Sequence, residues 1–351
     1  MHGTIYEFEG SLPLTVPVAQ ARVRSRGVSA GTRAPLIGII RNPRSHRNKG
    51  HSPEFADRPN VLTRTPRTRA ALRAELADFA ARGIEYLAVD GGDGTVRDVL
   101  TCGEDIFAGA WPQLIVLPKG KTNALAVALG LPNHWSLAEA LDAVAQGRTI
   151  ERRPLVVELP AQAREGDGGP DAPPLRVQGF ILGAGIFTQC TEAAQRAHKL
   201  GAFNSFAVLL TIVWGMLKSF FGAPSGTEMR LAAGPDRIPL PDSGRGGPGR
   251  RYLLLASTLD RFPLGIKPFG PHRDGLMMTL VDAPLRRILA MIPLLATGVH
   301  WSGLTGLGAH RLAFDQEVEL ELGDRFILDG EYFPAGHYVL RQGAPLRFVV
   351  P

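Results

Sequence analysis

A chain of 351 residues, 44% hydrophobic and 21% charged, has the balance of an ordinary soluble globular protein, which excludes both a disordered chain and a fully membrane-embedded one. That length exceeds what a single hydrophobic core usually fills, so two domains are expected. The net charge of +6 favours anionic partners, and the two cysteines, Cys102 and Cys190, exclude a disulfide framework or a structural zinc cluster.

Residues 1–34 show no periodicity and read as a loosely attached arm. The opening MHGTIYEFEG lacks the charged-then-apolar order of a secretory leader, so a cytoplasmic protein is expected. PLIGIIRNP predicts a buried strand that runs into a turn at Asn42-Pro43. A helix follows from Pro66 to Arg82, with Leu72, Leu76 and Phe79 on one side, closed by Gly83. Then come the strand YLAVD, a glycine loop, a helix after Thr95, the strand QLIVLP, a second glycine-containing loop and a helix from Thr122 to Leu129. This alternation predicts a parallel sheet with crossover helices, whose ligands sit at the carboxyl ends of the strands.

After the helix SLAEALDAVAQG the character changes. TIERRPLVVELP, LRVQGFILG, RYLLLAST, DGLMMTLVDA, VELEL, RFILDGEYF and LRFVVP all read as strands, which predicts a mainly β second domain. The expected division is an arm at 1–34, an α/β domain at 35–147 and a β-rich domain at 148–351. AQAREGDGGPDAPP and GPDRIPLPDSGRGGPGR read as long surface loops. FNSFAVLLTIVWGMLKSFF, residues 203–221, has an unbroken apolar run too short to span a bilayer, and fits either a core helix or a shelter for acyl chains at a membrane surface.

The chemistry concentrates in the loops. GKT at Gly120 to Thr122 is not a Walker loop, because Ile115 stands where the first glycine belongs. GAGIFT at Gly183 to Thr188 is not a dinucleotide fingerprint, because Thr188 replaces the third glycine; its two close glycines fit tight packing. Gly91, Gly92 and Gly94 differ: backbone N–H groups can converge there, and a following helix adds its own, which makes a phosphate site. Phosphate would repel Asp93 unless a divalent cation lies between them or Asp93 accepts a proton from an attacking hydroxyl. The bland alternative is a tight turn with Asp93 as a helix cap.

NPRS at Asn42 to Ser45, GGDGT at Gly91 to Thr95, LPKGKTNALA at Leu117 to Ala126, DGL at Asp274 to Leu276 and DGE at Asp329 to Glu331 occur in a telling order. From residue 35 onward the chain resembles the diacylglycerol kinase catalytic-domain family, which includes bacterial lipid kinases and the sphingosine and ceramide kinases. The resemblance implies an α/β N-terminal domain with a parallel sheet, a mainly β, sandwich-like C-terminal domain, and a ligand cleft between them where ATP and lipid meet. It implies that Asn42, Ser45, Gly91, Gly92, Asp93, Gly94, Thr95, Lys121 and Asn123 hold the nucleotide, with Thr63 beside it. Glu331 would accept the proton of the lipid hydroxyl, with Asp93 as the other candidate, and Asp274 would belong to a loop linked to Mg²⁺.

Departures from the family pattern are His46 after Ser45, Lys121 in place of a threonine, Arg97-Asp98 in place of Asn-Glu, and Phe187 in place of an acid. NALA, in place of NDFA, is similar to the sphingosine and ceramide kinases. The expected function is ATP-dependent phosphorylation of a primary hydroxyl of a membrane lipid, either a ceramide or sphingoid lipid or diacylglycerol. Alternatives are a NAD kinase-like enzyme with a soluble acceptor and a catalytically weak lipid-binding regulatory protein. The expected partner surface is an anionic membrane, with a homodimer left open. Nucleic acid is not expected, because the arginines lack interleaved aromatic residues.

Overall fold

Three apolar runs pair side by side and set the frame of the first sheet. In the computed structural model, which describes residues 34–51, 57–160, 175–189, 191, 226–244, 247–282, 294–299, 301 and 303–351, the first unit contains β1 (Ile37–Arg41), β2 (Val61–Arg64), α1 (Arg69–Arg82), β3 (Tyr86–Gly91), α2 (Asp93–Phe107), β4 (Gln113–Pro118), α3 (Ala124–Ala128), α4 (Leu137–Ala145) and β5 (Thr149–Arg152). β1, β2, β3 and β4 are mutually parallel in the order β2-β1-β3-β4. The register aligns Arg41 with Asp90 and Gly91 with Pro118, so three loops leave one edge together. β2 and β3 lie on opposite sides of β1, which puts the switch point of the sheet beside the loop after β1.

Helix α1 forms where expected. The Thr68 hydroxyl accepts from the Ala71 N–H at 3.2 Å, Gly83 ends the helix in the left-handed region, and Leu72, Leu76 and Phe79 are buried. Gly38 lets the Phe79 ring lie on β1, since a Cβ there would stand 2.7 Å from the ring.

The second unit contains β6 (Leu155–Leu159), β7 (Leu175–Gly179), β8 (Ile181–Gly185), β9 (Thr227–Ala233), β10 (Ile238–Pro239), β11 (Arg250–Ser257), β12 (Leu276–Asp282), β13 (Ala309–Phe314), β14 (Val318–Leu322), β15 (Phe326–Leu328), β16 (Glu331–Phe333) and β17 (Gly336–Gln342). Every pairing among them is antiparallel. The α/β unit followed by a β-rich unit is the architecture expected from the sequence.

Sheet membership differs from the expected division at residue 147. The last strand, β18 (Leu346–Val349), inserts beside β4 and pairs with β5, so two strands from beyond residue 147 complete the first sheet. TIERRPLVVELP is accordingly two strands in two sheets, parted at Pro154, whose ring removes the N–H that an unbroken ladder would use. LRVQGFILG divides at Phe180. RFILDGEYF is a tight hairpin: Asp329 and Gly330 both have positive φ (46° and 85°), the requirement of a type I′ turn.

The two sheets meet along α2. The Gln178 N–H of β7 donates to the Thr101 hydroxyl at 3.0 Å, and Phe180 and Phe348 pack edge to face at 6.4 Å. Residues 1–33, residues 203–221 and Cys190 lie outside the described residues. Cys102 is buried on α2, and that burial pushes its thiol up to about 12.

Candidate active site

The loop after β1 is pinned from below. Arg41 forms a buried ion pair with Asp90 and donates to the carbonyl of His51 at 2.6 Å, while Asn48 Nδ2 donates to the carbonyls of Asn42 and Asp90, each at 3.0 Å. Asp90 is thus a structural acid. Asn42 is 1% exposed; its Nδ2 donates to Thr95 Oγ1 at 3.1 Å and its Oδ1 accepts from the Arg44 N–H at 2.9 Å. These contacts join the NPRS and GGDGT segments. Ser45 Oγ and Thr63 Oγ1 are buried and make no hydrogen bond among the described residues.

The glycine loop is tighter than the sequence suggests. Gly92 is the N-cap of α2, so the helix begins at Asp93, two residues before the expected Thr95. A Cβ on Gly91 would meet Thr95 at 2.5 Å, and one on Gly92 would lie 2.9 Å from the Gly120 Cα. Gly92 therefore lets the loops after β3 and β4 touch backbone to backbone, while Gly91 makes room for the Thr95 side chain. Lys119 N–H donates to the Gly91 carbonyl at 3.0 Å and closes the same seam.

Asn123 holds the second loop. It adopts φ 50°, accepts from the Gly120 N–H through Oδ1 at 2.8 Å and donates through Nδ2 to the Gly120 carbonyl at 3.0 Å. Its amide is committed to the turn, so it shapes the expected nucleotide site rather than offering a free group. Lys121 projects exposed from that turn.

Asp93 is a cap, but of a different helix from the one its sequence position suggests. Its Oδ2 accepts from the Ala124 N–H at 3.0 Å and its Oδ1 from the Leu125 N–H at 3.1 Å, at the start of α3. Burial raises its pKa, and those two N–H bonds oppose the rise. Facing it is Asp329, whose carboxylate accepts from the Phe180 and Ile181 N–H groups, both at 2.9 Å. Burial, and then the like charge of Asp93, push Asp329 up to about 7.

Glu331 begins β16 and is 6% exposed, yet it meets α2 from the other sheet. Arg97, fully buried, donates through Nη2 to Glu331 Oε2 and to Asp98 Oδ1, both at 2.8 Å, and through Nη1 to the Leu328 carbonyl at 3.2 Å. Burial raises the Glu331 pKa and the Arg97 cation opposes it. Burial works against the Arg97 charge too, but Asp98 and Glu331 more than offset it and keep the guanidinium protonated. The sequence marks Arg97 as a departure without assigning it a partner. Of the other site residues, Asp274 is exposed before β12 and makes no hydrogen bond or ion pair among the described residues. Phe187, in place of an expected acid, lays its ring on Gly183.

The raised pKa of Asp329 has a measurable consequence. Between its ordinary value of 3.8 and about 7, the folded chain binds more protons than the unfolded chain, so this group's contribution to stability falls as pH rises through that window. Urea midpoints from pH 4 to pH 8 are expected to decline less steeply in Asp329→Asn than in the wild type. An identical slope in both would contradict the assignment.

Residues 39–155 match the family model described as the diacylglycerol kinase catalytic domain. That match covers a third of the chain. The match spans the loops after β1, β3 and β4, where the site residues described above lie. Two solved structures of proteins from Bacillus anthracis str. Sterne described as diacylglycerol kinases share the fold. One aligns at TM-score 0.58 and 16% identity over 93% of this chain and 98% of that one, the other at TM-score 0.56 and 16% identity over 92% and 99%. No curated protein sequence matches the chain. Among the described residues, no helix is long and apolar enough to cross a membrane.

Proposed function

We propose that the protein transfers the γ-phosphoryl group of ATP to a primary hydroxyl of a membrane lipid, a ceramide or sphingoid lipid or diacylglycerol. The observation that carries this reading is Glu331: a turn of the second sheet brings it to the helix that starts at the glycine loop. A carboxylate beside a phosphate cradle is the arrangement phosphoryl transfer to a hydroxyl needs, because such transfer depends on alignment and charge neutralisation. The N-terminus of α2, Asn42, Ser45 and Lys121 face the phosphates in this reading. Thr63 contributes its free hydroxyl.

Glu331, rather than Asp93, takes the proton. Both oxygens of Asp93 hold the start of α3, whereas Glu331 Oε1 makes no hydrogen bond among the described residues. Mg²⁺ bound with ATP would supply charge neutralisation, and a phosphate-bound Mg²⁺ needs only one or two protein carboxylates, for which Asp93 and Asp274 are the proposed donors. The Asp93 carboxylate fits that place because it is fixed at the cradle.

Contact with an anionic membrane is part of the same proposal. Leu264 (65% exposed), Ile266 (37%), Val299 (44%) and Trp301 (47%) lie on two loops joined by the Lys267 N–H to Ala296 carbonyl bond at 2.7 Å, with Arg261, Lys267 and Arg273 exposed around them. Burying a leucine contributes about 1.5–3 kcal/mol, so Leu264→Ser is expected to weaken co-sedimentation with phosphatidylglycerol vesicles by about tenfold. Unchanged co-sedimentation of Leu264→Ser and Trp301→Ala would reject this surface.

The function is tested by incubating the protein with labelled ATP, Mg²⁺ and, separately, diacylglycerol, ceramide, sphingosine and NAD. Label in the organic phase supports the lipid kinase and names its acceptor. Label on NAD supports a soluble-acceptor enzyme, and no label supports a lipid-binding protein without turnover.

A further inference from the structure

We infer that Arg97 is a positioning residue for the acceptor side of the site: it reaches across the junction between the sheets and presents Glu331 as a carboxylate with Oε1 free. This rests on the reading of Glu331 as the proton acceptor. The guanidinium donates from its planar fork through Nε to Asp98 Oδ1 at 3.3 Å, through Nη2 to Asp98 Oδ1 and to Glu331 Oε2, both at 2.8 Å, and through Nη1 to the Leu328 carbonyl at 3.2 Å. Asp98 thus fixes the rotation of the fork, the Leu328 carbonyl fixes the height of the β15–β16 turn, and Glu331 receives one N–H of Nη2. A lysine ammonium has no such planar fork.

The placement matters because α2 also begins at the glycine loop. One rigid helix sets both the phosphate cradle at its N-terminus and, one turn further on, the arm that holds the base. The distance between donor phosphate and proton acceptor is thereby fixed within one element. The charged groups facing Glu331 are Arg97 and Asp98 from α2 and Arg69 from α1, with Asp329 on its own turn acting on Arg97. Cys102 faces Arg69 and stays a thiol. Arg97 is the cation in direct contact, so its removal leaves Glu331 beside Asp98 with only the more distant Arg69 to oppose burial.

The test compares wild type, Arg97→Gln, Arg97→Lys and Glu331→Gln. Protein labelled with ¹³C at the glutamate carboxyl carbon gives a Glu331 resonance assigned by its loss in Glu331→Gln, and its titration needs no substrate. An opposite charge at hydrogen-bond distance lowers a carboxyl pKa by about 1–3 units. The Glu331 midpoint is therefore expected to rise by about that amount in Arg97→Gln and by less in Arg97→Lys, which keeps the cation and a folded junction. With dioctanoylglycerol in detergent micelles and ATP, the acidic limb of the kcat profile is expected to move by the same amount, with KM for ATP unchanged. An unshifted Glu331 midpoint in either folded variant overturns the positioning role. Full activity of Glu331→Gln overturns the proton-acceptor reading instead, while the titration still reports on Arg97.

Discussion

Glu331→Gln is expected to lower kcat for lipid phosphorylation by about 10²–10⁴-fold, the contribution of a positioned general base. Glutamine keeps an oxygen for the Arg97 Nη2 contact at 2.8 Å, so the β15–β16 turn stays docked on α2. What it removes is the ability to accept a proton at Oε1. Arg97 keeps Asp98 as its counter-ion at 2.8 Å, which limits the loss of stability. KM for ATP is expected to hold, because Glu331 enters from the second sheet while the loops proposed to hold the nucleotide belong to the first. Wild-type turnover in this variant would remove the catalytic assignment. A parallel fall in thermal stability would instead point to a structural role.

Gly92→Ala is expected to weaken ATP binding by at least about tenfold, equivalent to about 1.4 kcal/mol, and to destabilise the fold by about 1–3 kcal/mol through overpacking. The residue has φ −100° and ψ −175°, a conformation alanine adopts freely, so the backbone itself carries no penalty. The penalty lies in the contact: the added carbon would stand 2.9 Å from the Gly120 Cα, and that backbone atom cannot rotate away. The loops after β3 and β4 must part, which undoes the Lys119 to Gly91 hydrogen bond and the cradle it closes. Gly306→Ala is the control, since a Cβ there meets nothing within 4 Å. Isothermal titration with ATP and urea unfolding separate the two effects. Normal ATP affinity in Gly92→Ala would show that the seam is not part of the nucleotide site.

These two residues also divide what a linear reading captures from what it misses. The glycine loop reads in the sequence as a phosphate site, and the fold adds a second reason for Gly92, the close approach of the neighbouring loop at Gly120. Asp93 was readable as a cap or a cation partner. Which helix it caps depended on α3 lying beside α2, a relation that no local pattern encodes. The DGE segment looked like part of one strand, although its Asp-Gly pair is the strongest short signal for a two-residue hairpin, and the positive φ values of Asp329 and Gly330 bear that out.

The sequence by itself determined the elements and their common edge. Apolar runs of strand length alternating with helices specify parallel pairing, and the loops after β1, β3 and β4 must then emerge together. Local propensity and periodicity are enough for that, because each element's pattern is written within its own span. Only the tertiary structure decided that Arg97 meets Glu331, a pair 234 residues apart. It likewise decided that β18 returns to complete the first sheet. Both depend on where whole sheets come to rest against α2. That placement is set by the summed burial of two cores, and a buried arginine can be tolerated only once the acids that neutralise it have arrived there.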